Sequence, residues 1–175
     1  MKHFLLSAVI LAFTLVSLSA QEYKGQFTVT VVEASAVPSG VAQSQAANFP
    51  GITVRQWKKQ EYNNKRLSSV QYLAVFTQNG QNTRARYQAD GRSLSSYTTY
   101  RPEALPTPIQ TTLQTDYADY TLTGAAEITS LQQGWTGFRI RLRKGNEKLV
   151  VWLTAEGTPL SPQQVPTEVS AEDAE

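Results

Sequence analysis

Enzyme chemistry most often starts from histidine, cysteine or paired carboxylates, and this chain is poor in all three. His3 is the only histidine among 175 residues, and there is no cysteine. His3 also lies in a segment that reads as a signal peptide, so the mature protein is expected to hold neither residue type. Ser-His-Asp and Cys-His catalysis then lack their base. Zinc, haem and iron–sulfur centres lack their usual ligands. The one close acid pair is Asp116 and Asp119. A glycosidase needs two carboxyls roughly 5 to 9.5 Å apart across a cleft, whereas these two fall at the end of an expected helix, where acids face solvent. No catalytic residue, cofactor or metal site is expected, and the chain reads as a non-enzyme.

Recognition chemistry is better represented. Phe138, Ile140 and Leu142 alternate with Arg139, Arg141 and Arg143. A strand has a side-chain period of two, so the apolar set faces a core and the arginines face away from it. The same alternation places Tyr72, Ala74, Phe76, Ala85, Tyr87, Val151 and Leu153 inward. It places Leu73, Val75, Arg84, Arg86, Val150 and Trp152 on the outer face. Arginine beside tryptophan is the composition of binding hot spots. Arg84, Arg86, Arg139, Arg141 and Trp152 are therefore the candidate binding residues. The expected partner is a protein or peptide with an acidic surface and an apolar socket. Two blander readings stand beside this one. The arginines could simply keep the sheet soluble, or Val150 and Trp152 could pack against the other half of the chain or a dimer partner. Glu61 to Ser69, with Asn63, Asn64, Lys65 and Arg66, reads as an exposed loop and a second recognition candidate. Trp57 is placed at the core edge. Trp135, between Gly134 and Gly137, fits core or rim.

The elements that would position these residues occur twice. Val37-Pro38 is matched by Leu105-Pro106, a shift of 68, at which Val41 meets Ile109 and Phe49 meets Tyr117. After a two-residue gap the shift becomes 66. Tyr72 then meets Phe138, Tyr87 meets Leu153, and Asp90-Gly91 meets Glu156-Gly157. Each copy opens with an apolar residue and a proline, which suits a first helical turn. A helix follows. Its apolar stripe is Ile109, Leu113 and Tyr117 in the second copy, and Val41, Ala42, Ala46 and Phe49 in the first. Phe49-Pro50-Gly51 ends the first helix. Extended segments are expected at Phe27–Val32, 53–57, 71–78, 83–89, Ser93–Tyr100, 120–128, 137–143 and 148–154. Turns fall at Asn79-Gly80, Asp90-Gly91 and Gly145-Asn146. Arg101-Pro102-Glu103 links the copies. The fold class is α+β: two tandem helix-plus-antiparallel-sheet repeats with the helices on one face.

The ends of the chain differ from this body. Lys2 and His3 precede a mostly apolar run, Phe4 to Val16, and the small residues Ser17, Ser19 and Ala20. The run is shorter than the roughly 20 apolar residues a membrane span requires. It reads as a secretory signal peptide cut after Ala20, or after Ser19. Localisation is then periplasmic or secreted, without membrane insertion. Residues 21–160 hold 15 Lys and Arg against 10 Asp and Glu, whereas 161–175 hold four acids and no base. The modest basic excess of an exported chain does not point to nucleic acid as a dedicated partner. The tail has only Val165 and Val169 as apolar residues beyond Ala and Pro, and reads as disordered. The expected organisation is signal peptide 1–20, first unit 21–100 with its N-terminal strand, second unit 101–160, and acidic tail 161–175.

The unit resembles the PepSY-like, β-lactamase-inhibitor-like family of secreted or periplasmic bacterial proteins. The residues that carry the likeness are Val37-Pro38, Phe49-Pro50-Gly51, Trp57, Tyr72 and Tyr87-Gln88-Ala89-Asp90-Gly91. In the second copy they are Leu105-Pro106, Tyr117 and Leu153-Thr154-Ala155-Glu156-Gly157. The match spans about residues 26 to 160. The second copy departs from it in having Ala118-Asp119 after its helix and Ala125 where the first has Trp57. The resemblance implies a helix-on-antiparallel-sheet fold and a binding or inhibitory role, and supplies no catalytic residue. The expected function is a non-catalytic protein-binding module, inhibitor-like, acting through its open sheet face. The alternative is an envelope-associated structural protein, or one that binds a small or polymeric ligand.

Overall fold

A computed structural model describes residues 27–64 and 67–170. The expected signal peptide and residues 171–175 lie outside the described residues, as do Lys65 and Arg66. The strands are β1 (Phe27–Val32), β2 (Gln56–Asn64), β3 (Leu67–Gln78), β4 (Gln81–Gln88), β5 (Ser93–Tyr100), β6 (Thr121–Ser130), β7 (Trp135–Lys144) and β8 (Glu147–Leu153). They form one antiparallel sheet in the order of the chain. Helix α1 (Ser39–Asn48) lies between β1 and β2, α2 (Thr107–Asp116) between β5 and β6, and α3 (Thr167–Ser170) after β8. No helix among the described residues is long and apolar enough to cross a membrane.

Turn chemistry sets the hairpins. Asn79 and Gly80 both have positive φ, 50° and 75°, as the tight β3–β4 turn requires. Each long helix starts the same way. A 3₁₀ turn (Ala34–Ala36 or Pro102–Ala104) leads to Val37-Pro38 or Leu105-Pro106, and the proline, with φ near −54° or −52°, stands at the N-cap. Neither N-cap makes a side-chain hydrogen bond, so the fixed proline φ sets the helix start.

Both long helices pack on the same face of the sheet. Val41 and Phe49 of α1 meet Trp57, Tyr72, Phe76 and Tyr87. Ile109 of α2 meets Phe138, Ile140, Leu142 and Leu153. The inward set expected from alternation is thus the core, with Val151 half-buried. Each helix is also tied to a glycine turn. Ser44 Oγ donates to Gly91 O at 2.6 Å, and Thr112 Oγ1 donates to Gly157 O at 2.9 Å.

Several expectations need correction. The buried stripe of α1 runs through Val41, Gln45 and Phe49, whereas Ala42 and Ala46 are exposed. Gln45 can enter the core because Tyr87 Oη donates to its Oε1 at 2.6 Å. The strand expected over 53–57 begins only at Gln56. Of the loop expected over Glu61 to Ser69, residues 61–64 and 67–69 belong to β2 and β3, with Tyr62 paired to Ser69 and Asn64 to Leu67.

The tail is the largest departure. Residues 161–170 are ordered by a 3₁₀ turn at Pro162–Gln164 and by α3. The Gln164 side chain accepts from Ser161 N and Oγ at 2.8 and 2.9 Å. Val165 and Val169, 7% and 0% exposed, pack with Ala126 and Ile128 of β6. Composition hides this, because two valines four residues apart across a proline-started turn share one side. Each contributes about 1.5–3 kcal/mol on burial, a small anchor for a segment whose ordering costs entropy at every residue. Ala125 of β6 belongs to the core under α2, and its neighbour Ala126 to the cluster with α3. The third helix therefore sits on the face opposite the first two, so the expectation of helices on one face holds for α1 and α2 alone.

Candidate binding face

The face away from α1 and α2 follows from the register. Val31 pairs with Lys58, Lys58 with Leu73, Leu73 with Arg86 and Arg86 with Ser95. One row over, Val75 pairs with Arg84, Arg84 with Tyr97 and Tyr97 with Ile128. Further along, Thr99 pairs with Ala126, Ala126 with Arg139, and Arg139 with Trp152. Directly paired residues share a face. All five candidate binding residues therefore lie together on this side, as alternation required.

Their environments differ. Tyr97 is flanked by two guanidinium groups. Arg84 Cζ lies 4.5 Å and Arg139 Cζ 5.3 Å from its ring centroid, and Arg139 Nη2 donates to Tyr97 Oη at 3.3 Å. Arg139 is 2% exposed, which corrects its placement among solvent-facing contact residues. On β7, next to the edge strand β8, it lies between Ala126 and Trp152, and its guanidinium rests against the Tyr97 ring. Arg84 and Arg86 are half-buried, and Arg141, paired with Val150, is exposed. Trp152 is half-buried against Trp135, with ring centroids 5.9 Å apart. Both indoles border the α3 cluster. Trp152 thus packs within its own half, on Trp135, rather than against the other half as weighed from the sequence, while Val150 stays open to solvent. Trp57, placed at the core edge, is buried in the core under α1.

Sequence reasoning placed Val150 on this face but missed the three apolar residues of β1 that define its far end. Phe27, Val29, Val31 and Val150 are the exposed large apolar side chains among the described residues, at 39%, 46%, 58% and 46%. Register puts all four on the face away from α1 and α2. The signal was present in the alternation Phe-Thr-Val-Thr-Val. Its parity is fixed only by Val32 packing under α1, so the sequence alone left the direction of the row open. Between these ends lies a depression of about 200 Å³ lined by Lys58, Val75, Arg84, Tyr97 and Thr99.

The acid pair has other employment. Asp119 accepts from Lys144 Nζ at 2.8 Å, which holds its carboxyl below and the ammonium above their ordinary values. Asp116 accepts from Thr115 Oγ1 at 3.0 Å. On the helix side an open groove of about 550 Å³ runs beside α2, lined by Leu105, Leu113, Tyr117, Tyr120 and Leu122 with Gln110 and Gln114. No group of three or more His, Cys, Asp or Glu among the described residues is placed to hold a metal ion.

An eight-stranded antiparallel sheet in chain order, carrying two long helices on one face, is an α+β fold shared with solved structures of proteins from Bacteroides. A BLIP-like protein of Bacteroides fragilis is 16% identical, with a TM-score of 0.56, over 71% of this chain and 84% of that one. A DUF2874 family protein of Bacteroides ovatus is 15% identical, with a TM-score of 0.54, over 71% and 84%. A protein of Bacteroides eggerthii provisionally described as periplasmic is 18% identical, with a TM-score of 0.51, over 71% and 86%. At such identities the likeness establishes the fold. No family model matches the sequence, and no curated protein matches it.

Proposed function

We propose that this chain is an exported, non-catalytic binding protein that recognises a protein or peptide with the sheet face opposite α1 and α2. One observation carries the reading: among the described residues, the four exposed large apolar side chains lie on that one face, together with Arg84, Arg86 and Arg141. Exposed apolar side chains on a face that also carries arginines mark a candidate interaction surface, here with the apolar row on edge strand β1, Val150 on the opposite edge strand and the arginines between. An inhibitor-like role is the finer form of the same reading, by analogy with the BLIP-like neighbour. The partner has an acidic surface, and association weakens as salt rises.

The test is to capture a partner from the exported fraction with the mature chain, then titrate variants against it by calorimetry. Arg141→Ala and Val31→Lys are expected to fold and to weaken binding at least tenfold, while Gln114→Ala, on α2, binds like wild type. Equal binding by all three would remove the face from consideration.

We infer further that the two halves are copies of one PepSY-like unit. The paired links Ser44–Gly91 and Thr112–Gly157, and the common 3₁₀-proline start of α1 and α2, support this. A second functional reading, carriage of a small apolar ligand, is favoured by the groove beside α2. Displacement of a fluorescent apolar dye from wild type, and its loss in Leu113→Glu, would distinguish it.

A further inference from the structure

We propose that Tyr97, Ala126, Ile128, Trp135 and Trp152 form a peptide socket whose present occupant is the chain's own tail, and that the socket takes a segment of the same chemistry from the partner. That chemistry is an aliphatic-proline turn, a second aliphatic residue four positions on, and acidic residues after it. The inference rests on the reading that this face recognises a protein, and names what part of that protein it holds.

The occupant is a copy of a motif used twice elsewhere. Val165-Pro166 with Val169 repeats the spacing of Val37-Pro38 with Val41 and of Leu105-Pro106 with Ile109. The N–H of the residue before each proline bonds back three residues, from Val37 to Ala34, Leu105 to Pro102 and Val165 to Pro162. In the first two cases a ten-residue helix follows and is locked into a core. In the third the helix has four residues and packs on β6 from the other face. The socket thus accepts this turn without the rest of the unit, which is how a short linear segment would bind.

Charge and position favour exchange. The tail carries four acids and no base. The face that receives it carries Arg84, Arg86 and Arg141, of which Arg141 is exposed. Five further residues, three of them acidic, continue from α3 beyond the described chain. The seated segment is anchored by two valines in a cluster separate from the two cores under α1 and α2, so an incoming segment displaces it without opening either core.

The probe is a synthetic peptide of residues 161–175. A chain ending at Leu160 is expected to bind it at least tenfold more tightly than the full chain does, with a change in tryptophan emission and a fall in affinity as salt rises. A Val165→Asp, Val169→Asp peptide is expected not to bind. A second variant guards against loss of fold: the full chain with Val165→Ser and Val169→Ser, expected to stay folded by circular dichroism and to bind the wild-type peptide. The proposal is overturned if folded truncated chain ignores the peptide, if both chains bind it equally, or if neither altered chain folds. If a captured partner binds the truncated chain while the peptide does not, the socket falls and the wider face reading stands. If Arg141→Ala and Val31→Lys leave partner binding intact while the peptide binds, the wider reading falls and the socket stands.

Discussion

Tyr87 is fully buried beneath α1, and burial pushes its pKa up to about 12. Burial, and then the hydrogen bond to Glu127, raises Tyr100 to about 12 as well. A tyrosine whose folded pKa exceeds its free value near 10 stabilises the fold fully below pH 10. That contribution drains away as pH rises from 10 through about 12, because the unfolded chain ionises first. For Tyr87 it is about 2–3 kcal/mol. Urea midpoints are therefore expected to fall steeply between pH 10 and 12, and Tyr87→Phe is expected to flatten that fall. At neutral pH the same variant is expected to cost about 1–3 kcal/mol, since Gln45 Oε1 loses its donor in the core. Ile140, at zero exposure under α2, is a packing residue only, and Ile140→Ala is expected to cost about 2–5 kcal/mol in denaturant unfolding. Arg139 and Arg141 sit two residues apart on one face but divide their labour. Arg139→Ala is expected to lower the unfolding midpoint through Tyr97, and Arg141→Ala to leave it unchanged.

Glycine placement separates the turns that hold the helices from those that merely reverse the chain. A Cβ on Gly157, where φ is 80°, would lie 2.7 Å from Pro108 O and 2.6 Å from Thr112 Oγ1. A Cβ on Gly51, at φ 75°, would meet nothing within 4 Å. Gly157→Ala is thus expected to lower thermal stability clearly more than Gly51→Ala, which carries backbone strain alone. These elements differ equally in how visible they are from sequence. The hairpin at Asn79-Gly80 and the strand Ser93–Tyr100 were legible because turn residues and alternation are local signals. The inner and outer rows of β3, β4, β7 and β8 were legible for the same reason. The buried side of α1 was not, because a glutamine takes the position that Leu113 holds in α2, and only its tyrosine partner 42 residues away makes that acceptable. Order in the tail was not legible either: Val165 and Val169 gain their value from Ala126 and Ile128, which the local composition cannot report. Arg139 looked like its neighbours in sequence, and its burial depends on Tyr97 one hairpin and one helix away.

The molecule as a whole keeps its two faces for different purposes. One is closed by α1 and α2 over two contiguous cores. The other is left largely to β-sheet side chains, with α3 over β6 and an apolar row on the edge strand β1. An edge strand with exposed valines and no charge is a hazard for edge-to-edge pairing. Light scattering at rising concentration is expected to show self-association in the free chain that Val29→Lys suppresses. The sheet order has a consequence in time rather than in space. Each strand after β1 hydrogen-bonds to the strand just before it in the chain. A polypeptide delivered amino end first can therefore add each strand to a finished edge, with no early segment waiting for a late one, and such local wiring favours quick folding. The turn at Val165-Pro166 and α3 follow β8 in the chain. The outer side of β6 stands bare until they dock, and in stopped-flow refolding the tryptophan signal is expected to settle after the backbone circular dichroism has finished.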